Sequence, residues 1–590
     1  MRKLLLYTFL SLLCLTVQAQ YYLRGEIKDE KNFSLQNARI FVHSAKAYFY
    51  SGTYGGFGIT LPNLYDSITV SLDGYEPLTI KVKADVWQTI ILKISNSNLS
   101  KNRPRFISET KDLSRSARFN LIASDETYFQ LIENNFVDAK KYPNTGYGLN
   151  VNKASYSNVR RFLNQGSEVP PDAVRVEEII NYFNLGYETP DSQQSFKISS
   201  KITDCPWNPK EQLLLINVSA KKIPLDNIPH GNFVFLIDVS GSMDMPNRLP
   251  LLQTAFKMFV NNLRAVDTVS IVTYGGTVGI WMQPTSGANK EKINKAIDSL
   301  VAAGDTPGES AIRAAYKLAQ STYIKNGNNR VILATDGDFN VGETSEKALD
   351  ELITKQRQSG VYLTCLGVGM GNFKDSKLQV LAKKGNGNYA YLDDTREAEK
   401  VLVKELTQTL YAVGDDVLMN VTFDPSLVKE YRLIGFDNKR ETISDTASIL
   451  EGGEVGSGDN TIAIFEIVPN ENSMLENQNV DLCPAYLTLS YSNPGDTVKR
   501  YISHEVTQNY QPLAQISQPY RFAIAATMFG LKLKQSQYFP KDFGFETIKS
   551  FAELAADKNL YLEQEFLGLI NKAMDIYDVK KKRRFKRKKD

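Results

Sequence analysis

Between residues 229 and 412 the chain alternates two hydrophobic periods. Strand-like, mainly apolar runs occur at Phe233–Ile237, Val269–Tyr274, Val331–Ala334 and Tyr362–Gly367, with the length and composition of strands buried on both faces. Between and after them, apolar residues recur three and four apart at Leu249–Leu263, Ser310–Ile324, Ser345–Ser359 and Ala398–Val413, which predicts helices. Strands separated by helices of this length predict a doubly wound, mainly parallel sheet covered on both faces.

The pattern changes on either side. Residues 20–95 alternate apolar and polar positions between turn signals, as in Ser67–Leu72 before Asp73-Gly74, which predicts a small β-sandwich. Residues 96–125 are polar and basic and are broken by Pro104, so they read as a linker. A flanking region over 126–228 combines a helix at Ala173–Phe183 with a strand at Gln212–Ala220. Residues 413–510 return to strand periodicity, for example Ala485–Tyr491, and 511–578 carry helical periodicity at Tyr520–Lys534, Glu546–Ala556 and Leu562–Ile576. The fold class is therefore multidomain, α/β plus β, with a central parallel sheet, an N-terminal sandwich, a flanking β region and C-terminal helices.

Composition adds limits. At 590 residues, 42% hydrophobic and 23% charged, the chain is globular and too long for one core. Residues 1–19 join Arg2-Lys3 to the apolar stretch Leu4–Leu15 and a small-residue site ending at Ala19, the layout of a secretory leader. Export to the periplasm or outer cell surface is the expectation. Cys14 follows Leu13, not a small residue, so no lipid anchor is expected. No other stretch is long and apolar enough for a transmembrane helix.

Loss of the leader leaves Cys205, Cys365 and Cys483, too few for a disulfide scaffold. The net charge of +3 conceals an asymmetry: removing +8 for residues 579–590 and +2 for the leader leaves a body at −7. The run Lys580–Lys589 reads as a solvated tail able to touch anionic envelope surfaces, and export argues against a nucleic-acid partner.

The candidate chemistry sits at predicted strand ends. Asp238-Val-Ser-Gly-Ser242 follows the first apolar run directly, and Thr335-Asp336-Gly337 follows Val331–Ala334. Between them, Gly304-Asp-Thr-Pro-Gly308 opens a helix and offers the Thr306 hydroxyl. Ligands of open α/β sheets gather beyond the carboxyl ends of strands. Residues two apart on a continuing strand lie too far apart to share an ion, so a turn, with Gly241 relieving it, is needed for Asp238, Ser240 and Ser242 to converge.

These three segments resemble the metal-ion-dependent adhesion site of a von Willebrand factor A domain. The resemblance extends to Glu126–Phe136, Ala154–Phe162, Val174–Phe183, Cys205–Pro209 and Thr335–Gly342, which are similar to exported bacterial proteins of the YfbK-like von Willebrand A family. Leu149-Asn-Val-Asn152 departs from that family's more acidic pattern. Gly25–Asp29, Leu35–Ile40, Thr53–Phe57 and Gly74–Pro77 resemble a carboxypeptidase regulatory-like domain, which implies a spacer or docking module.

The implied site comprises Asp238, Ser240, Ser242, Thr306 and Asp336, with Asp305 and Asp338 nearby. Two carboxylates and three hydroxyls suit Mg²⁺, with Mn²⁺ or Ca²⁺ as substitutes, and leave a coordination position for an Asp or Glu carboxylate of a protein partner. The alternative is a cell-envelope scaffold or assembly factor in which the metal is structural. Only three histidines occur, in separate regions, and no hydrolase or phosphate-binding motif appears, so no enzymatic activity is expected.

Overall fold

The computed structural model describes residues 21–93 and 126–586, apart from 31, 37, 53, 73–74, 127, 129, 192, 225–227, 276, 304–307, 338–352, 357, 371–372, 406–410, 438–451, 471–482, 495 and 508–509. It divides into two units, Met1–Leu113 and Ser114–Asp590. The leader, the whole predicted linker and most of the helix expected over Ser345–Ser359 lie outside the described residues.

In the first unit, Tyr21–Asp29 runs between Gly56–Leu61 and Trp87–Leu92 in a three-stranded sheet. Four further strands, Arg39–Val42, Ala47–Tyr50, Tyr65–Ser71 and Leu78–Lys83, form a second sheet. Alternate residues of both, including Leu23, Ile27, Ile40, Ile59, Val70 and Ile90, share one core. Period-two patterning has this result, because every second side chain points to the same face.

The second unit is built around a six-stranded sheet. In spatial order its strands are Thr277–Ser286, Thr268–Gly275, Gly231–Asp238, Asn328–Thr335, Val361–Val368 and Tyr389–Leu392. All neighbours are parallel except the antiparallel edge strand Thr277–Ser286. Phe233–Ile237 and Val331–Ala334 are continuously apolar because both faces of the sheet are covered. Phe233 and Phe235 pack on Phe256 and Phe259 of the Leu249–Asn261 helix, while Val234 and Leu236 share the opposite core with Ile312 and Tyr316.

The regions before and after this sheet are interleaved in space. Gln212–Ala220 lies between Phe196–Asp204 and Asn460–Pro469, and Asn144–Gly148 pairs with Ala412–Phe423. The helices Gln518–Lys534, Phe545–Ala555 and Tyr561–Lys586 share a core with the Ala154–Asn164 and Val176–Ile180 helices.

Three elements differ from the sequence expectation. The helix expected over Ala173–Phe183 is a short 3₁₀ turn followed by Val176–Ile180. Asn181 ends it by exchanging hydrogen bonds with the Ile462 backbone, at 2.7 and 2.9 Å. The helix expected over Ala398–Val413 is an α-helix over Thr395–Glu399 continued by π-helical turns over Lys400–Lys404, and Ala412 already begins a strand. Pairing of that strand with three others overrides the local helical period. The last helix runs through Lys586, so much of the basic run continues a helix and does not form a separate tail. Among the described residues the cysteines are unpaired, Cys205 and Cys365 being buried.

Candidate functional site

Gly231–Asp238 and Asn328–Thr335 are adjacent and parallel, with Ile237 opposite Ala334. Asp238 and the Thr335-Asp336 pair therefore leave the sheet along one edge. Asp238 is fully buried and Asp336 is 1% exposed. The Thr335 hydroxyl donates to Asp238 Oδ2 at 2.9 Å, and the Ser240 backbone N–H donates to Asp238 Oδ1 at 2.9 Å. The Ser240 and Tyr274 hydroxyls act on the same carboxylate.

Ser240 is extended, and a 3₁₀ turn over Gly241–Asp244 follows it. The turn brings Ser240 Oγ within 3.1 Å of Ser242 Oγ. Gly241 is not the left-handed residue of the site. That residue is Gly337, with φ +89°, where an added Cβ would meet the Lys374 backbone nitrogen at 2.6 Å. Thr335 Oγ1 also accepts from Gly337 N–H at 3.1 Å, tying the two strand ends to the turn that carries Asp336.

Burial, reinforced by the Asp336 charge, pushes the Asp238 carboxyl up to about 6, although hydrogen bonds from Ser240 and Thr335 act in the opposite direction. Two carboxylates held this close in a buried setting call for positive charge. One source is Arg248, which sequence reasoning missed. Its Nη1 donates to Asp336 Oδ2 at 2.7 Å and to the Ser242 carbonyl at 2.6 Å, while Nη2 donates to the Met370 carbonyl at 2.9 Å. The available signal was modest: Arg248 is the first basic residue after the Asp238 motif and immediately precedes the predicted helix.

Asp238, Ser240, Ser242 and Asp336 are gathered at one edge. Thr306, Asp305 and Asp338 lie outside the described residues. The donor set consists of hard oxygens and the two serine hydroxyls are adjacent, so the residues fit a divalent cation of the Mg²⁺ or Mn²⁺ type. A second grouping, Cys205, Glu211 and Glu466, brings three potential ligand atoms within 4.8 Å. There Glu466 accepts from Trp207 Nε1 and pairs with Arg432, each at 2.5 Å, so protein donors already compensate its charge.

The von Willebrand factor type A domain family matches residues 232–407. A von Willebrand factor family matches 122–215, and the family described as "Uncharacterized protein YfbK, C-terminal" matches 408–576. The Escherichia coli (strain K12) protein described as "Uncharacterized protein YfbK" is 35% identical over 474 residues, covering 77% of this chain and 82% of that protein. Human inter-alpha-trypsin inhibitor heavy chain H2 is 27% identical over 208 residues, covering 34% of this chain and 21% of the human protein. The solved structure of a von Willebrand factor type A protein from Catenulispora acidiphila aligns with a TM-score of 0.36 at 14% identity, covering 56% of this chain and 76% of that one.

Proposed function

Because the chain belongs to the YfbK-like family of von Willebrand factor type A proteins, we propose that it is a non-enzymatic binding protein whose metal site grips an acidic group of a protein partner. The observation carrying this reading is the convergence of Asp238, Ser240, Ser242 and Asp336 at the carboxyl ends of two adjacent parallel strands. Asp238, the two serine hydroxyls and Asp336 would hold the ion, with Thr306 as the fifth ligand. When bound, Mg²⁺ would supply a positive centre for a partner's carboxylate, and Mn²⁺ or Ca²⁺ would substitute.

The protein's own groups prepare that centre. Thr335 and the Ser240 N–H orient the Asp238 carboxylate, and the 3₁₀ turn presents the serine hydroxyls. Burial excludes bulk water from Asp238 and strengthens its interaction with an arriving cation. The reading extends to an exported protein, through the leader expected over residues 1–19, and among the described residues no helix is long and apolar enough to cross a membrane.

The test is calorimetric titration and thermal unfolding of the full mature chain with Mg²⁺, Mn²⁺ or EDTA, beside Asp238→Ala. Saturation at ~100-fold excess over the dissociation constant is expected to stabilise the wild type by about 2.7 kcal/mol and to leave the variant unmoved. Absence of binding heat and of any shift in the wild type would remove the metal reading.

A further inference from the structure

Arg248 occupies a position at the candidate site that a simple set of oxygen ligands does not explain. Its side chain is nearly buried, and its guanidinium bonds three separate segments: the turn after Asp238 through the Ser242 carbonyl, the strand-end carboxylate of Asp336, and the loop after Val361–Val368 through the Met370 carbonyl. The loop is shaped to admit it. Gly369 has φ +81°, and a Cβ there would lie 2.6 Å from Arg248 Nε. Met370 also receives the Gln165 amide at Sδ, at 2.9 Å, so the clamped loop reaches the flanking Ala154–Asn164 helix segment.

We propose that Arg248 is a built-in counter-cation that sets the charge of the metal site, lowering its affinity for the ion while leaving the loaded site positive. The proposal rests on the metal reading above. With Arg248 present, Asp238 and Asp336 together with the guanidinium carry a net charge of about −1, and a divalent ion brings this to about +1. Without Arg248, the two carboxylates balance the ion and no excess positive charge remains for an acidic partner. The guanidinium also holds an Asp336 oxygen that a cation would otherwise use. It is therefore a specificity-determining residue that exchanges metal affinity for attraction to carboxylate, and it fixes the Met370 loop in the absence of metal.

The experiment measures Mn²⁺ binding to the full chain by the electron paramagnetic resonance signal of free Mn²⁺, with and without acetate as a minimal carboxylate. Wild type, Arg248→Met and Asp238→Ala are compared, with Arg248→Gln replacing the Met variant if that variant does not fold. Arg248→Met is expected to bind Mn²⁺ at least about tenfold more tightly, and acetate is expected to strengthen Mn²⁺ binding in the wild type but not in the variant, as reciprocal linkage requires. Backbone hydrogen exchange at Gly369–Met370 in EDTA is expected to rise in the variant. Wild-type binding with unchanged or weaker affinity in Arg248→Met, or an equal acetate effect in both, overturns the role of Arg248 and leaves the metal site standing. Absence of Mn²⁺ binding in both wild type and Arg248→Met overturns the metal reading and this inference together.

Discussion

Arg175 and Asp375 stand 200 positions apart in the chain, yet Arg175 Nη1 donates to Asp375 Oδ2 at 2.7 Å between two side chains that solvent scarcely reaches. Arg175 immediately precedes a helix of the flanking region, whereas Asp375 opens a helix of the parallel-sheet domain. Glu178 accepts from Arg175 Nε at 2.5 Å, and the Tyr389 hydroxyl donates to Asp375 Oδ1 at 2.7 Å. The contact locks the flanking helices to the central domain, because each buried charge depends on the other.

Removing one partner is therefore expected to cost far more than a surface ion pair would. Asp375→Ala leaves Arg175 with a single carboxylate and should lower stability by about 3–5 kcal/mol in urea unfolding. Neutralising the whole group, Arg175→Met with Glu178→Gln and Asp375→Asn, should recover part of that loss, because no buried charge is then left without a partner and Ser155 N–H and the Tyr389 hydroxyl keep acceptors. A loss below about 1 kcal/mol in the single variant would show that the pair does not hold the two regions together.

Acidity provides a separate test. Burial, followed by the Glu466 charge, pushes the Glu211 carboxyl from 4.5 up to about 7. Between those values the native state holds a proton that the unfolded chain has released. The contribution of this group is thus fully present below about 4.5 and lost as pH rises through 7. Glu211→Gln keeps an acceptor for the Asn208 amide, which now donates to Glu211 Oε1 at 2.7 Å. The Tm of the variant should decline less between pH 5 and pH 8 than that of the wild type. Parallel declines would count against a raised Glu211.

How far the chain could be read in advance depended on whether local periodicity or tertiary contact decides the outcome. Phe233–Ile237 and Val331–Ala334 are legible as strands because burial on both faces leaves an unbroken apolar run, and they emerge as the centres of Gly231–Asp238 and Asn328–Thr335. Asp238 and Asp336 are legible as strand-end carboxylates for the same reason. The interleaving of Gln212–Ala220 with Asn460–Pro469 is not legible, because no local signal encodes pairing between segments so distant in sequence. Arg248 escaped notice likewise: its place beside Asp336 is a contact across 88 positions, and a position just before a predicted helix does not specify that contact.

The turn after Asp336 is expected to tolerate little change. Gly337 is left-handed and lies against the Lys374 backbone, so Gly337→Ala combines an unfavourable φ with a backbone clash. A cost of about 1–3 kcal/mol is expected, together with weakened Mn²⁺ binding as Asp336 is displaced. Thermal unfolding in EDTA isolates the first effect, and titration of the folded variant isolates the second. Wild-type values in both would mean that the turn relaxes without moving Asp336.

The Thr335 hydroxyl separates a positioning role from simple packing. It donates to Asp238 Oδ2 and accepts from Gly337 N–H, so Thr335→Val preserves volume and removes both bonds. Loss of a hydrogen bond to a charged acceptor is expected to cost about 1.5–3 kcal/mol. Without that donor, Asp238 also holds its proton more tightly, so Mn²⁺ binding should weaken, and most strongly at pH values below about 6, where the ion competes with that proton. Thr335→Ser retains the hydroxyl and should restore metal binding even if the lost methyl lowers Tm. Equal Mn²⁺ affinity in the Val and Ser variants would reduce Thr335 to a packing residue, whereas rescue by Ser alone would establish that its hydroxyl orients the Asp238 carboxylate.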